Sequence, residues 1–123
     1  MTKILFFDTY ALVEIYKGNP NYKKYETGFK IILNNLNLLE FAYFLIKSGK
    51  ENGISDYFDK MLKFNVDYDK EDLTKAAKMK FTFLKQRLSF IDCIGYTLAK
   101  KNNAKFLTGD EKFRHSDNVE FVK

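Results

Sequence analysis

A chain of 123 residues is long enough for one buried core and too short for two, so it is expected to be a single domain over residues 1–123. Its 46% apolar and 17% aromatic content excludes a disordered chain, and no apolar run approaches the length of a membrane span. The lone Cys93 excludes an intrachain disulfide and suits a reducing cytoplasm, while a net charge of +5 favours a polyanionic partner such as nucleic acid, although the lysines are scattered.

The first element is Ile4-Leu5-Phe6-Phe7, a continuous apolar run expected of a strand buried on both faces of a parallel sheet. Asp8 cuts it off, which leaves it too short for a signal peptide. Leu12, Ile15 and Tyr16 then share a helical face, and Lys17-Gly18-Asn19-Pro20 ends that helix. A short helical turn is expected over 22–28 and a second strand over 29–33. Residues 36–47 are apolar almost all round, which predicts a buried helix, and 54–64 predict a more amphipathic one. Asn65 to Tyr68 is a candidate third strand.

From Asp69 to Lys85 the spacing predicts an amphipathic helix with Leu73, Ala76, Ala77, Phe81, Leu84 and Leu88 on its inner face and Glu71 and Asp72 in its first turn. Ser89, three residues ahead of Asp92, starts the next helix as a capping box. Ile91, Ile94, Gly95 and Leu98 give that helix its inner side, and Lys100 and Lys101 close it where the dipole favours cations. A short strand then stops at Thr108-Gly109-Asp110, and Val119 to Val122 is expected as an edge strand. The alternation of strands and helices predicts an α/β domain with a mainly parallel sheet.

Four of the sixteen acids stand in apolar surroundings: Asp8 after Leu5-Phe6-Phe7, Glu40 within Leu38-Leu39-Glu40-Phe41, Asp92 within Phe90-Ile91-Asp92-Cys93, and Asp110 after Phe106-Leu107-Thr108-Gly109. Three of them have local explanations as a helix cap, a capping box and a turn residue. Glu40 does not. It lies along a largely apolar helix face beside Leu36, Asn37, Tyr43 and Phe44, none of them a cation, so a positive group is expected to meet it. Glu14 projects away from the Leu12 face and reads as solvated. In an open parallel sheet the strand exits and helix entrances share one edge, so Asp8, Asp92 and Asp110 are expected close together, with Glu40 one turn into its own helix.

Two unit charges about 4 Å apart repel by roughly 4 kcal/mol at an effective dielectric near 20, so such a cluster is tolerable around cations or with raised pKa values. The donors are all oxygens, and neither Cys93 nor His115 has a partner at metal-ligand spacing, which favours Mg²⁺ or Mn²⁺ over zinc. Phosphodiester hydrolysis is the chemistry that such sites serve.

These four stretches, Ile4-Leu5-Phe6-Phe7-Asp8-Thr9, Leu36-Asn37-Leu38-Leu39-Glu40, Ser89-Phe90-Ile91-Asp92 and Leu107-Thr108-Gly109-Asp110, resemble in order and spacing the PIN domain, and among PIN domains the VapC toxins of toxin–antitoxin pairs. The resemblance implies a five-stranded parallel sheet flanked by helices on both faces. It implies a metal-dependent ribonuclease with Asp8, Glu40, Asp92 and Asp110 as its acidic quartet, beside the hydroxyls of Thr9 and Thr108. It also implies a cytoplasmic homodimer neutralised by a VapB-type antitoxin. Residues 50–69 match no motif.

A non-toxin PIN-like protein that processes or binds RNA is the alternative. A receiver domain of signalling has the right size, but it needs an adjacent acidic pair where Phe7 precedes Asp8, and a Lys before a late proline where the only proline is Pro20. Phosphatases with a second Asp two residues on are excluded by Tyr10. Cys93 reads as a small buried hydrophobe and His115 as a surface residue. The aromatics read as core and dimer contacts, with Tyr22, Tyr25, Phe58 and Phe83 as candidates for a two-fold interface and Tyr10, Tyr43 or Tyr96 for the lining of a groove.

Overall fold

The structure, a computed structural model, describes residues 3–123. The apolar runs form strands β1 (Ile4–Phe7), β2 (Lys30–Ile32), β3 (Lys105–Thr108) and β4 (Val119–Phe121). Between them lie helices α1 (Thr9–Tyr16), α2 (Asn35–Lys47), α3 (Ile54–Met61), α4 (Lys70–Thr82) and α5 (Phe90–Lys101). Short 3-10 turns at Pro20–Tyr25 and Glu111–Phe113 complete the connections that matter for the site. No helix among the described residues is long and apolar enough to cross a membrane.

All strand pairs are parallel and the order is β2-β1-β3-β4, so β1 and β3 are central and their ends lie side by side. Side chains alternate across the sheet as strand geometry requires. Leu5, Phe7 and Leu107 point to one face, where Leu12 of α1 and Leu38, Phe41 and Leu45 of α2 cover them. Phe6 and Phe106 point to the other, under Ile94, Leu98 and Ala99 of α5 and Ala76 of α4. Gly95 lets α5 lie flat on that face, because a Cβ there would stand 3.1 Å from the Phe6 ring and 3.2 Å from the Phe106 ring.

The expected sheet of five strands has four. Asn65 and its neighbours contribute a single parallel bridge to Leu33 rather than a strand. Asn65 instead commits its side chain elsewhere: Oδ1 accepts the Asn35 N–H at 2.8 Å at the start of α2, 30 residues back, and Nδ2 donates to Asp67 nearby. Side chains of this kind offer the backbone an alternative to a ladder.

Two helices differ in which face they bury. In α2 the buried side is Asn37, Leu38, Phe41, Ala42 and Leu45, while Leu39, Tyr43 and Ile46 are exposed, so this helix is not covered all round. In α4 the buried residues are Asp72 and Ala76, with Met79 packed beside them, and Leu73, Ala77, Phe81 and Leu84 lie outside. The physical reason is a polar lock. Asp72 closes the capping box with Asp69 and meets Lys101 of α5 at 2.7 Å, which turns the Leu73 side away from the core. Tyr22 and Tyr25 are also core residues, so they are not available for a two-fold interface, and Phe58 is partly buried against the same core.

Candidate active site

Three of the four candidate acids occupy one edge, and each is placed by the local bond that also explains it. Asp8 caps α1 at the exit of β1, where Oδ1 accepts the Ala11 N–H at 2.9 Å. Asp92 closes the capping box of α5, with Oδ2 accepting the Ser89 N–H at 2.9 Å while Ser89 Oγ accepts the Asp92 N–H. Asp110 follows β3, and its Oδ1 accepts the Lys112 N–H at 3.0 Å. Gly109 is needed at this exit because a Cβ would overlap the Tyr10 ring and the Val122 carbonyl oxygen. Helix caps and a turn are thus the means by which the sequence holds these carboxylates in position.

Asp8 is the most perturbed of the group. It is 5% exposed, and burial pushes its pKa up to about 8, with Asp92 and Asp110 pushing the same way. The Thr108 hydroxyl and the Ala11 N–H oppose that shift by hydrogen bonding the carboxylate. A carboxyl in this setting holds a proton at neutral pH unless a cation stands against it.

Glu40 reaches this edge through Thr9. Its Oε1 accepts the Thr9 hydroxyl at 2.5 Å, and Asn37 Nδ2 donates to the same hydroxyl at 3.3 Å. No lysine or arginine side chain among the described residues lies within 4 Å of Glu40, so the positive group expected there is replaced by a hydroxyl. Glu14, expected to be solvated, is largely covered, and it accepts a hydrogen bond from Asn19 at 2.9 Å.

Two residues at the site were not singled out from the sequence. Asn37 is buried and fixes Thr9; its only signal was its position one turn before Glu40. Lys112 places Nζ 3.4 Å from Asp110 Oδ2 and 3.7 Å from Asp92 Oδ2, and nothing but its distance of two residues from Asp110 marked it. A cleft lined by Met79, Phe83, Tyr96, Lys100 and Lys112 opens beside this edge between α4, α5 and the turn after Asp110. Cys93 is buried, and burial raises its thiol pKa, which makes it a poor nucleophile; His115 is exposed.

The donors fit a hard divalent cation. They are carboxylate and hydroxyl oxygens only, and Asp8 is a buried acid with no cation in contact among the described residues. Among the described residues no three His, Cys, Asp or Glu side chains form a single metal-ligand group, and each of the four carboxylates accepts a hydrogen bond at its own cap, turn or hydroxyl.

A parallel sheet with acids gathered at the exits of its central strands defines a class of α/β domain. The family model described as PIN domain matches residues 5–119, and the chain belongs to that family. PIN domains are generally nucleases, and they generally use divalent metal ions. Among solved structures, the chain is similar to one described as a toxin–antitoxin complex from Klebsiella pneumoniae, at 15% identity and a TM-score of 0.71, covering 94% of this chain and 95% of that one. It is also similar to VapBC2 from Rickettsia felis bound to a DNA fragment from its promoter, at 18% identity and a TM-score of 0.72, covering 97% of both chains. At these identities the likeness is one of fold. No curated protein matches the sequence.

Proposed function

We propose that this protein is a metal-dependent endoribonuclease of the VapC type, the toxin of a toxin–antitoxin pair, acting through Asp8, Glu40, Asp92 and Asp110. The observation that carries this reading is Asp8, buried at the exit of a central strand without a cationic partner among the described residues and pushed to a pKa of about 8 by burial and by Asp92 and Asp110. Family membership and the two toxin–antitoxin complexes of like fold support it.

Mg²⁺ or Mn²⁺ held by these carboxylates supplies charge neutralisation at a phosphate and a water of lowered pKa. The chain's own residues do the rest. Asp8 is oriented by Thr108 and the Ala11 N–H, and as a ligand it would act in its deprotonated form. Thr9, braced by Asn37, holds the Glu40 carboxylate toward the same edge. Asp92 and Asp110 approach from the entrance of α5 and the exit of β3.

Attack by water on phosphorus leaves a 5′-phosphate and a 3′-hydroxyl. The other route, through a 2′-hydroxyl, relies on paired acid–base groups such as two histidines, and His115 is the only histidine in the chain. The test is digestion of RNA by purified protein with Mg²⁺, Mn²⁺ or EDTA, followed by analysis of the ends. Cleavage that requires the metal and gives 5′-phosphate ends is expected; cleavage in EDTA or 2′,3′-cyclic phosphate ends would overturn the mechanism. Growth arrest on expression, relieved by the product of an adjacent small gene, is expected of a toxin; its absence alongside RNA cleavage would point to a non-toxin RNA-processing nuclease.

A further inference from the structure

Lys112 is the only lysine or arginine among the described residues whose side-chain nitrogen lies within 4 Å of any of the four acids, and it meets two of them. Its place is built rather than incidental. The Lys112 N–H is tied to Asp110 Oδ1 at 3.0 Å, and the Phe113 N–H is tied to the Asp110 carbonyl oxygen at 2.9 Å. The next side chain, Phe113, is fully buried, with its ring 4.8 Å from that of Phe106. A backbone pinned on both sides leaves the lysine stem to fold back over the edge of the sheet. Its ammonium then lies 3.4 Å from Asp110 Oδ2 and 3.7 Å from Asp92 Oδ2, joining the exit of β3 to the entrance of α5. The side chain is 38% exposed, so it is partly withdrawn from solvent.

Sites that process phosphodiesters with two ions hold them roughly 3.5–4 Å apart, shared among carboxylates. An ammonium within 4 Å of both Asp92 and Asp110 engages carboxylate oxygens that a second ion would need as ligands. Asp8 and Glu40 have no lysine or arginine within ion-pair distance. The charge on this edge is therefore uneven: on one side the chain's own ammonium offsets one of two carboxylate charges, and on the other no lysine or arginine among the described residues does so.

We propose that Lys112 is the resident cation of the Asp92–Asp110 side of the site, so that the protein takes one divalent ion rather than two and carries an ammonium in the place of the second. This inference rests on the proposed metal-dependent reading of the site. As a compact, strongly hydrated point charge on a flexible stem, an ammonium can shift toward a substrate phosphate while remaining near both carboxylates.

The test counts Mn²⁺ ions bound per full-length chain, by calorimetry and by electron paramagnetic resonance, in the parent, Lys112→Gln, Lys112→Met and Lys112→Arg. One ion is expected in the parent and in Lys112→Arg. Two are expected in whichever neutral variant retains its circular dichroism spectrum, with a larger rise in Tm on adding saturating Mn²⁺ than the parent shows. A parent that already binds two ions, or neutral variants that bind one with unchanged affinity, would overturn the role of Lys112 while leaving the metal-dependent reading in place. Failure of the parent and all variants to bind Mn²⁺ would overturn both.

Discussion

Asp92 serves two demands with one carboxylate. Its Oδ2 satisfies the Ser89 N–H at the start of α5, and the same group adds to the repulsion felt by Asp8. Asparagine retains an acceptor for the cap and removes the charge. Asp92→Asn is therefore expected to abolish RNA hydrolysis while the metal-free protein melts at the parent's temperature or above it. The variant should also lose most of the stabilisation that Mn²⁺ gives the parent, since ligand binding to the native state adds stability by mass action. Melts with and without Mn²⁺ beside one cleavage assay measure all three. If the acid were only a cap, its change would cost about 1 kcal/mol or less and leave activity intact.

Elements meet at positions where one side chain decides the fit. At Gly109 the exit of β3 passes so close to Tyr10 and the Val122 carbonyl that a methyl group has no room, and the Tyr10 ring alone cannot make it. Gly109→Ala is expected to cost about 1–3 kcal/mol, the usual range for overpacking, and to lower activity further by displacing Asp110; denaturant melts and cleavage rates on the folded fraction test this. Between α4 and α5 the decisive residue is Asp72, buried, capping and paired with Lys101 at 2.7 Å. Asp72→Ala removes the cap partner and the ion pair together, for a loss of about 2 kcal/mol by denaturant titration.

The first residue of that cap, Asp69, is held below the ordinary carboxylate range by the Asp72 N–H and by Lys101. A depressed folded pKa means the contribution is present above the unfolded value, about 4, and is lost as pH falls through the lower folded value. Stability of Asp69→Asn should accordingly change less than that of the parent on acidification below pH about 4.

At the scale of the whole molecule, the apolar rows left outside are the feature to explain. Leu73, Phe81 and Leu84 line the outer side of α4 and the turn after it, with Phe83 and Phe90 close in sequence, and Phe81 is 82% exposed. A row of this kind on a water-facing helix marks a protein contact or an aggregation hazard. A second copy of the chain is the occupant expected under the toxin reading, with α4 against α4 across a two-fold axis. Sedimentation equilibrium at micromolar concentration should give twice the chain mass, and the double variant Phe81→Lys with Leu84→Lys should give the monomer at an undiminished melting temperature. A parent that sediments as a monomer would overturn the α4 two-fold contact.

What the sequence determined by itself is whatever depends on neighbours within a few residues. Continuous apolar runs marked β1, β3 and the parallel character of the sheet, and Ser89 with Asp92 marked the entrance of α5. Acids in apolar surroundings marked Asp8, Glu40, Asp92 and Asp110 as candidates, and the shared edge of strand exits and helix entrances in a parallel sheet led to the expectation that three of them lie together. The tertiary structure decided what depends on distant partners. The inner face of α4 holds Ala76 and leads to Leu88 as the periodicity predicts, but Leu73, Ala77, Phe81 and Leu84 lie outside, because periodicity ranks faces by apolarity whereas the pairing of Asp72 with Lys101, 29 residues away, rotates the buried side toward Asp72. The fifth strand was lost because Asn65 spends its side chain on the start of α2, 30 residues back. Lys112 had no local signal at all. A lysine two residues past a turn is ordinary in sequence, and it becomes part of the site only because the fold brings the entrance of α5 to the exit of β3, leaving two carboxylates to share one ammonium.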